Sequence, residues 1–253
     1  MRPYMNRHTL AFYLFLITLT LGSNSAHSAT ITWTNTAGGN WSATNNWSPH
    51  QLPTNTDNVM ITTPGTYTVT FDLNLNYTPT NVANLTLGAG GGAAGVQTFV
   101  VTNSFNVGSQ LLVTNGGVLQ STSGILLAGN LIIDHGGLFN GRFVSFLSGA
   151  GITTLTIQNG GVMNTANSNF RNAIIIVTNG VINATGDTFG PVTVANGGLW
   201  LANGVSLSRY GFTVAHGGVL DITNGLYLPS LLINSGTINL ANSFVNIDNT
   251  VVP

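Results

Sequence analysis

The 253-residue chain is almost uncharged, and its few charges are unusual in kind. Only 4% of its residues are charged, every acid is Asp, every base is Arg, and no Cys is present. Helical surfaces are normally built from Glu, Lys and Ala, so this composition, rich in Val, Ile, Thr and Asn, predicts an all-β protein with many turns. The lack of a basic patch argues against nucleic-acid binding, and the lack of Cys excludes disulfides as a source of stability.

Residues 1–29 have the organisation of a secretory signal peptide. Two arginines form a basic start, and the apolar run Thr9–Leu21 is too short to span a bilayer comfortably. Small residues follow in the stretch SNSAHSA, which predicts cleavage after Ser28 or Ala29. A buried core helix is the alternative interpretation. The leader predicts export, and no later apolar run is long enough for a membrane helix.

Residues 30–80 lack a repeat but contain three of the four Trp. Trp33, Trp41 and Trp47 are large apolar side chains within a segment rich in Gly, Asn and Thr. The first coil of a stacked β protein exposes strand edges and an open core, so its terminal units are expected to be atypical caps. We therefore predict that 30–80 form an N-terminal cap and the first strands.

The remaining segment, 81–253, is built from a repeat of about 20 residues. Successive copies are LLVTNGGVLQ (111–120), LIIDHGGLFN (131–140), LTIQNGGVMN (155–164), IIVTNGVIN (175–183), VTVANGGLWL (192–201), FTVAHGGVLD (212–221) and LLINSGTIN (231–239). Side chains alternate between the two faces of a strand, so the first and third positions, which are always apolar, are expected to face a core. A second apolar column follows the glycines and includes Leu119, Phe139 and Trp200.

A unit of this length cannot bury its own apolar face, but it can do so when stacked on its copies. The repeat therefore predicts a parallel β-solenoid in a single stack, right-handed, with about eight coils of roughly 20 residues. The glycines would supply positive φ at a tight corner, and the Asn that often precedes them tolerates the same region. At one strand spacing per coil the rod would be about 40 Å long.

A resemblance to known proteins rests on the stretch GGNWSATNNWSPHQLPTNTDNVMI (38–61) and on the NGGVL repeats. Together they resemble bacterial secreted and surface β-solenoid proteins: autotransporter-like passengers, proteins with PEP-CTERM sorting tails, and G8-like modules with a Trp-rich opening. The resemblance implies the solenoid fold, the cap and export. The family's translocator barrel or sorting tail is not recognisable around FVNIDNTVVP, so the chain is expected to be a fragment of a longer passenger or to lack such an attachment.

Asp134, His135 and Arg142 form the best local cluster of reactive side chains. They flank the longest interval between repeats, so extra residues bulging between them would bring the guanidinium toward the carboxylate. Polysaccharide lyases and hydrolases need paired carboxylates, or an Asp-held calcium with a basic residue. The simpler interpretation, which we favour, places Asp134 in an outward column and lets His135 replace the Asn of a corner. No catalytic residue, metal ligand or cofactor is therefore assigned.

Aromatic side chains are candidates for ligand binding. Trp41 and Trp47 would be sugar-stacking platforms if they were exposed, although a capping role is favoured. Trp200 shares the column of Leu119 and is expected in the core. His216 shares the corner column of His135 but lies four coils away, about 19 Å, which is too far to share a metal ion.

Regular coils, scant charge and the lack of an assembled site favour a non-enzymatic function. We expect a secreted structural or adhesive module of the cell surface or extracellular matrix, with glycans or other surface or matrix proteins as partners. The alternative is a carbohydrate-active enzyme or a glycan-binding domain on a pectate-lyase-like β-helix.

Overall fold

The computed structural model describes residues 28–73, 81–89, 95–122, 125–127, 129–145, 153–207, 211–233, 235–241 and 245–250. These ranges form an all-β parallel solenoid, which confirms the architecture predicted from the repeat. The leader expected at 1–29 lies outside them except for its last two residues. Within the described ranges, no helix has the length and apolar character needed to cross a membrane.

Short strands make up nearly all of the regular structure in these ranges. The first are β1 (Thr30–Trp33), β2 (Gly39–Asn40), β3 (Trp47–Ser48), β4 (Asn58–Ile61), β5 (Tyr67–Phe71), β6 (Asn81–Leu87) and β7 (Gln97–Val101), with a 3₁₀ turn at Thr44–Asn46. Next come β8 (Phe105–Val113), β9 (Gly117–Ser121), β10 (Ile125–Leu127), β11 (Asn130–Ile133), β12 (Leu138–Arg142), β13 (Thr153–Gln158), β14 (Val162–Ala166), β15 (Asn169–Phe170) and β16 (Ala173–Thr178). The last are β17 (Val181–Thr185), β18 (Thr188–Phe189), β19 (Val192–Ala195), β20 (Leu199–Leu207), β21 (Phe212–Val214), β22 (Val219–Ile233), β23 (Thr237–Leu240) and β24 (Val245–Thr250).

Parallel pairing between successive coils arranges these strands in three ladders along the solenoid. The first ladder runs through β1, β4, β6, β8, β11, β13, β16, β19, β21 and the end of β22. The second runs through β2, β5, β7, β9, β12, β14, β17, β20, β22 and β23. The third includes β15, β18, β20, β22 and β24. The long strands β20 and β22 belong to more than one ladder because they continue around a corner.

The register of the first ladder defines the length of each turn. From Leu111 to Leu231 the partners follow one another through positions 131, 155, 175, 192 and 212, which gives six turns of about 20 residues. The turns before Leu111 are longer, because Ile31 pairs with Val59, Val59 with Leu85, and Leu85 with Leu111. Parallel pairing therefore already begins at β1.

The core is a continuous column of apolar side chains enclosed by the three ladders. The inward positions predicted from the repeat are buried in every described copy, from Leu111 and Val113 to Phe212 and Val214. Aromatic rings stack along the axis: Phe170 lies parallel to Phe189 at 5.1 Å, and Trp200 meets Phe189 edge to face at 4.8 Å. Trp200 is thus a core residue.

The corner between the first and second ladders explains why glycines come in pairs. At this corner His135 has a φ of 42°, and Asn115, Asn159, Asn179 and Asn196 have values between 42° and 50°. The second glycine of a pair is needed for space: a Cβ on Gly137 would lie 2.2 Å from the carbonyl oxygen of Val113 in the preceding coil. Positive φ accounts for one glycine, and close stacking of the coils accounts for the other.

The N-terminal edge of the first ladder is covered by the chain itself. β1 pairs in parallel with β4 and, on its other edge, in antiparallel with β3, where Trp33 faces Trp47. Trp33, Trp41 and Trp47 are fully buried, with Trp47 edge to face against Trp33 at 4.8 Å and Trp41 at 4.7 Å. This cluster fills the end of the core and continues into Phe71, Phe99 and Phe105.

Candidate functional site

Asp134 and His135 occupy the corner between β11 and β12 and contact each other. Nδ1 of His135 lies 2.7 Å from Oδ2 of Asp134, and Oδ1 of Asp134 accepts hydrogen bonds from the His135 amide at 3.0 Å and from Asn159 Nδ2 at 2.9 Å. Burial raises the pKa of Asp134, but these hydrogen bonds and the His135 charge outweigh it, so the pKa lies below its usual value. The pair thus links its corner to the Asn159 corner of the next coil.

Arg142 does not join this pair. It ends β12, four residues beyond Leu138, which places it about 13 Å along the strand from the corner. Residues 131–142 pair one for one with 155–166, so no extra residues bulge between Asp134 and Arg142. The additional residues of the long turn fall between Ser145 and Thr153, largely outside the described ranges. The candidate cluster considered from the sequence is therefore divided between two corners.

The remaining candidates are also separated from one another. Trp41 and Trp47 are fully buried, so neither ring presents a face to solvent. His216 is exposed at the corner equivalent to His135, four turns further along the first ladder. Across the part of the chain that the structure describes, no three His, Cys, Asp or Glu side chains come close enough to hold a metal ion.

A long groove runs over the outer face of the second ladder, parallel to the solenoid axis. Its first part is a shallow, open depression of about 530 Å³ lined by β9, β12, β14 and β17. Its second part encloses about 490 Å³ and is lined by β17, β20, β22 and β23. Both parts share Asn183 and Thr185, so the groove is continuous.

The groove floor is dominated by a column of side-chain amides, which we call the amide column. In chain order its positions are Gln120, Asn140, Asn164, Asn183, Leu201, Asp221 and Asn239. Asn164 donates to Oδ1 of Asn140 at 2.8 Å, and Asn183 donates to Oδ1 of Asn164 at 2.6 Å. Further along, Asn239 donates to Asp221. Parallel in-register pairing alone brings these residues together, one per coil.

Small residues occupy the inward positions of the strands that line the first part of the groove. The inward position next to the amide column holds Ser121, Gly141, Thr165, Ala184 and Ala202. At Gly141 a Cβ would lie 2.8 Å from Cζ of Phe139 and 3.2 Å from Val144, so the neighbouring core leaves no room for a side chain. Small inward residues therefore lie beneath the first part of the groove, whereas the larger Ile222 lies beneath its second part.

Two charged residues line the groove, and they are far apart. Arg142 and Asp221 are separated by four strand spacings, about 19 Å. A third charged group, Asp187, is buried behind the groove, where it accepts hydrogen bonds from Thr165 Oγ1 at 2.8 Å and from the Ser168 amide at 2.6 Å. Burial raises the pKa of Asp187 despite these hydrogen bonds. These contacts indicate that Asp187 stabilises the fold at the corner between the second and third ladders.

The groove was not identified from the sequence, although the residues that form its floor recur at one position of the repeat. The repeats quoted above end in Gln120, Asn140, Asn164, Asn183, Leu201, Asp221 and Asn239, so the amide column is their last letter. The inward apolar columns identify the core, but they give no information about this outward position. An outward column of hydrogen-bonding residues repeated at one per coil would have marked this face.

Comparisons with known proteins add little to this geometry. No family model matches the chain, and no curated protein matches its sequence. Among solved structures it aligns with the crystal structure of a TibC-catalysed hyper-glycosylated TibA fragment, at 14% identity, over 87% of this chain and 99% of that one, with a TM-score of 0.20. A TM-score of this size carries no argument, so the fold assignment rests on the observed strand pairing.

Proposed function

We propose that the chain is an exported, non-enzymatic adhesive module that binds glycans along the amide column. The observation that carries the proposal is the column of side-chain amides, which occupy five of its seven positions in a shallow groove lined by only two charged residues among those described. Proteins recognise neutral, hydroxyl-rich chains by hydrogen bonds from such groups, placed on rigid elements.

The amide column retains hydrogen-bonding capacity for a ligand. An Asn side chain has two N–H donors and two oxygen lone pairs. Each ladder contact between Asn140, Asn164 and Asn183 uses one donor of one residue and one lone pair of its neighbour. The other donors and lone pairs repeat at about 4.8 Å, the spacing between coils. That spacing is close to the length of one sugar unit, which suits a polysaccharide lying along the groove.

An apolar stripe beside the amide column suits the less polar faces of sugar rings. Two residues before each amide, the outward positions are Val118, Leu138, Val162, Val181, Leu199 and Val219, all partly exposed. Sugars have an apolar C–H face and a polar hydroxyl rim, and adjacent apolar and amide columns match that division. This pairing of columns favours a glycan over a purely polar or purely apolar partner.

Binding without catalysis is favoured by the separation of the groove's charges. Glycoside cleavage requires an acid and a base, or an acid and a nucleophile, within about 10 Å of each other. The groove offers Arg142 and Asp221 about 19 Å apart, and Asp221 accepts a hydrogen bond from Asn239. We propose that a bound glycan leaves this groove unchanged.

Three architectural proposals follow from the sequence, and contacts at the N-terminus support the first of them. Segment 30–80 acts as the cap, since β3 covers the free edge of β1. Residues 1–29 act as the export leader. The coils wind in the right-handed sense that parallel crossover connections take in nearly all proteins.

The test is glycan binding by the purified chain, first on an array of polysaccharides and then by calorimetry with the best ligand. The variant Asn183→Leu introduces the side chain that the next coil already has at this position, Leu201, so the strand pairing should persist although the hydrogen bond to Asn164 is lost. We expect it to weaken binding about tenfold, the effect of losing one or two hydrogen bonds to the ligand. The matched control, Thr156→Leu, places leucine on the outer face of the first ladder between Ile132 and Ile176.

Two results would overturn the proposal. One is the absence of binding to any polysaccharide, particularly if the chain instead captures a matrix protein through another face. The other is equal binding by the Asn183→Leu and wild-type chains. Release of shortened oligosaccharides during incubation would refute the non-enzymatic part.

A further inference from the structure

Phe143 is an exposed aromatic residue held in an unusual backbone conformation at the groove's edge. Its φ is 55° and its relative exposure is 56%. The structurally equivalent corners of the next four coils carry Asn167, Gly186, Gly204 and Asn224, all with φ between 52° and 63°. Those are the residue types that tolerate this region, whereas a bulky aromatic side chain there is an outlier.

Contacts with the residues that the structure describes do not explain the presence of Phe143. Its amide donates to the carbonyl oxygen of Ala166 at 3.1 Å, and any residue type could make that contact. Its ring contacts the guanidinium of Arg142, whose Cζ lies 4.9 Å from the ring centroid. A cation–π pair at an exposed site stabilises a fold only slightly. A strained position occupied by an exposed ring is more typical of a ligand contact.

Arg142 supplies a positive charge to the groove beside this ring. Its side chain is exposed and lines the same part of the groove as Asn140 and Asn164. Among the described residues it forms no ion pair. The carboxylates nearest in the fold are directed elsewhere: Asp134 contacts His135 and Asn159, and Asp187 is buried behind Thr165. The guanidinium is therefore available to an anionic ligand.

We propose that Arg142 and Phe143 form a subsite for the carboxylate-bearing sugar of an acidic polysaccharide. This inference rests on the proposed glycan-binding function and names its ligand class. The planar guanidinium binds a carboxylate through two parallel hydrogen bonds, and the Phe143 ring packs against the C–H face of the same sugar. Asn140 and Asn164 then bind hydroxyls of the adjoining unit.

The experiment uses two hexasaccharides that differ only in charge: oligogalacturonate and its fully methyl-esterified form. Affinities of the full chain for both are measured by calorimetry at low and at physiological salt. We expect the acidic hexamer to bind about tenfold more tightly than the ester, because a charge-assisted bidentate contact contributes on this scale. The preference should fall as salt rises.

Three variants separate the subsite from general effects on the fold. Arg142→Gln should bring the affinity for the acidic hexamer down to that for the ester. Phe143→Asn should weaken binding of both hexamers, while its melting temperature should equal or exceed that of wild type, because Asn suits this backbone at Asn167 and Asn224. Arg171→Gln removes an exposed arginine outside the groove and should change neither affinity.

Three other results would contradict the acidic subsite, and each shows whether the proposed glycan binding is also contradicted. If both hexamers bind equally and Arg142→Gln has no effect, the acidic subsite is refuted while glycan binding stands. If neither hexamer binds and no other acidic polysaccharide does, the subsite is refuted, and binding of a neutral polysaccharide decides separately whether the proposed function survives. If Arg171→Gln lowers the acidic preference as much as Arg142→Gln, the effect is one of net charge and the subsite is refuted.

Discussion

The side-chain amide of Asn164 donates to Oδ1 of Asn140 at 2.8 Å, and the two residues belong to neighbouring coils in the same register. Oδ1 of Asn164 also accepts from Asn183 at 2.6 Å, so one side chain joins three coils. The amides that line the groove thus also hold the coils in register. A change in the amide column is expected to affect both stability and binding.

Asn164→Asp should destabilise the solenoid. An ionised carboxylate can still accept from Asn183, but it cannot donate to Asn140, so two oxygens would face each other across the coil spacing. We expect a loss of about 1–3 kcal/mol in the free energy of unfolding, the scale of an unmatched partly buried acceptor. Urea unfolding at neutral pH measures it.

The control for that prediction is Asn179→Asp, at an exposed corner with a φ of 50°. Asp tolerates the same backbone region, and the substitution adds the same charge without breaking a ladder contact. Equal losses from the two variants would mean that the added charge, and not the ladder, determines the effect.

Neighbouring glycines at one corner should differ in their tolerance of alanine. Gly136 has open space around its Cβ position and a φ of 74°, so Gly136→Ala costs only the conformational strain, about 1 kcal/mol. Gly137→Ala would drive a methyl group to 2.2 Å from the Val113 carbonyl oxygen, so the coils would have to move apart. We expect the second variant to lose at least twice as much stability as the first in thermal unfolding. Similar losses would show that the close approach of the coils is easily relieved.

The fold was predictable from the sequence because its determinants repeat. Leu111, Leu131 and Leu155 occupy the same inward position in successive coils, so one strand pattern read several times predicts stacking without any knowledge of tertiary contacts. Alternation of inward and outward side chains then identifies the core. The longer turns between Ile31 and Leu111 lack this regularity, so no repeat in the sequence indicates that parallel pairing begins at β1.

The candidate site was less predictable, because it depends on where a residue lies around the coil and not on its neighbours in sequence. Asp134 and Arg142 are eight residues apart in the sequence but lie near different corners, whereas Asn140 and Asn164 are distant in sequence and in contact. The significance of Phe143 likewise appears only when its φ is compared with that of Asn167 in the next coil. The register of strand pairing shows which residues of different coils lie next to each other, whereas proximity in the sequence does not.

The Trp cluster at the N-terminus offers a matched pair of substitutions. Nε1 of Trp47 donates to the carbonyl oxygen of Trp41 at 2.8 Å, whereas Nε1 of Trp41 is buried and has no partner among the described residues. Replacing either Trp by Phe removes the same ring volume. We expect Trp47→Phe to be more destabilising than Trp41→Phe by about 1–2 kcal/mol, because only the first loses a buried hydrogen bond.

Denaturant unfolding of both Trp variants measures this difference. A larger loss for Trp41→Phe would mean that ring packing against Phe71 and Phe99, and not the hydrogen bond, controls the stability of this end.

The contributions of Asp187 and Asp134 to the free energy of unfolding should depend on pH in opposite directions. The folded-state pKa of Asp187 lies above 3.8, the value expected for an unperturbed Asp, because burial disfavours its charged form. Its protonated form is favoured by folding, so its contribution to stability is complete below 3.8 and declines as pH rises through the folded-state pKa. The folded-state pKa of Asp134 lies below 3.8, so its contribution is complete above that value and is lost as pH falls through the folded-state pKa.

The variants Asp187→Asn and Asp134→Asn isolate these contributions. Free energies of unfolding are measured for both variants and the wild-type chain from about pH 2 to pH 7, and each variant is subtracted from wild type. The difference for Asp187→Asn should fall as pH rises above 3.8, and the difference for Asp134→Asn should rise as pH increases toward 3.8. The amide introduced by Asp187→Asn would also meet the Thr185 backbone N–H donor, but that cost does not vary with pH, so the slope carries the test. A difference for Asp187→Asn that does not vary with pH would mean that Asp187 is ionised as readily in the folded chain as in the unfolded one, and a difference that rises with pH would mean that its pKa is lowered by folding; either result contradicts the opposing roles of the two carboxylates.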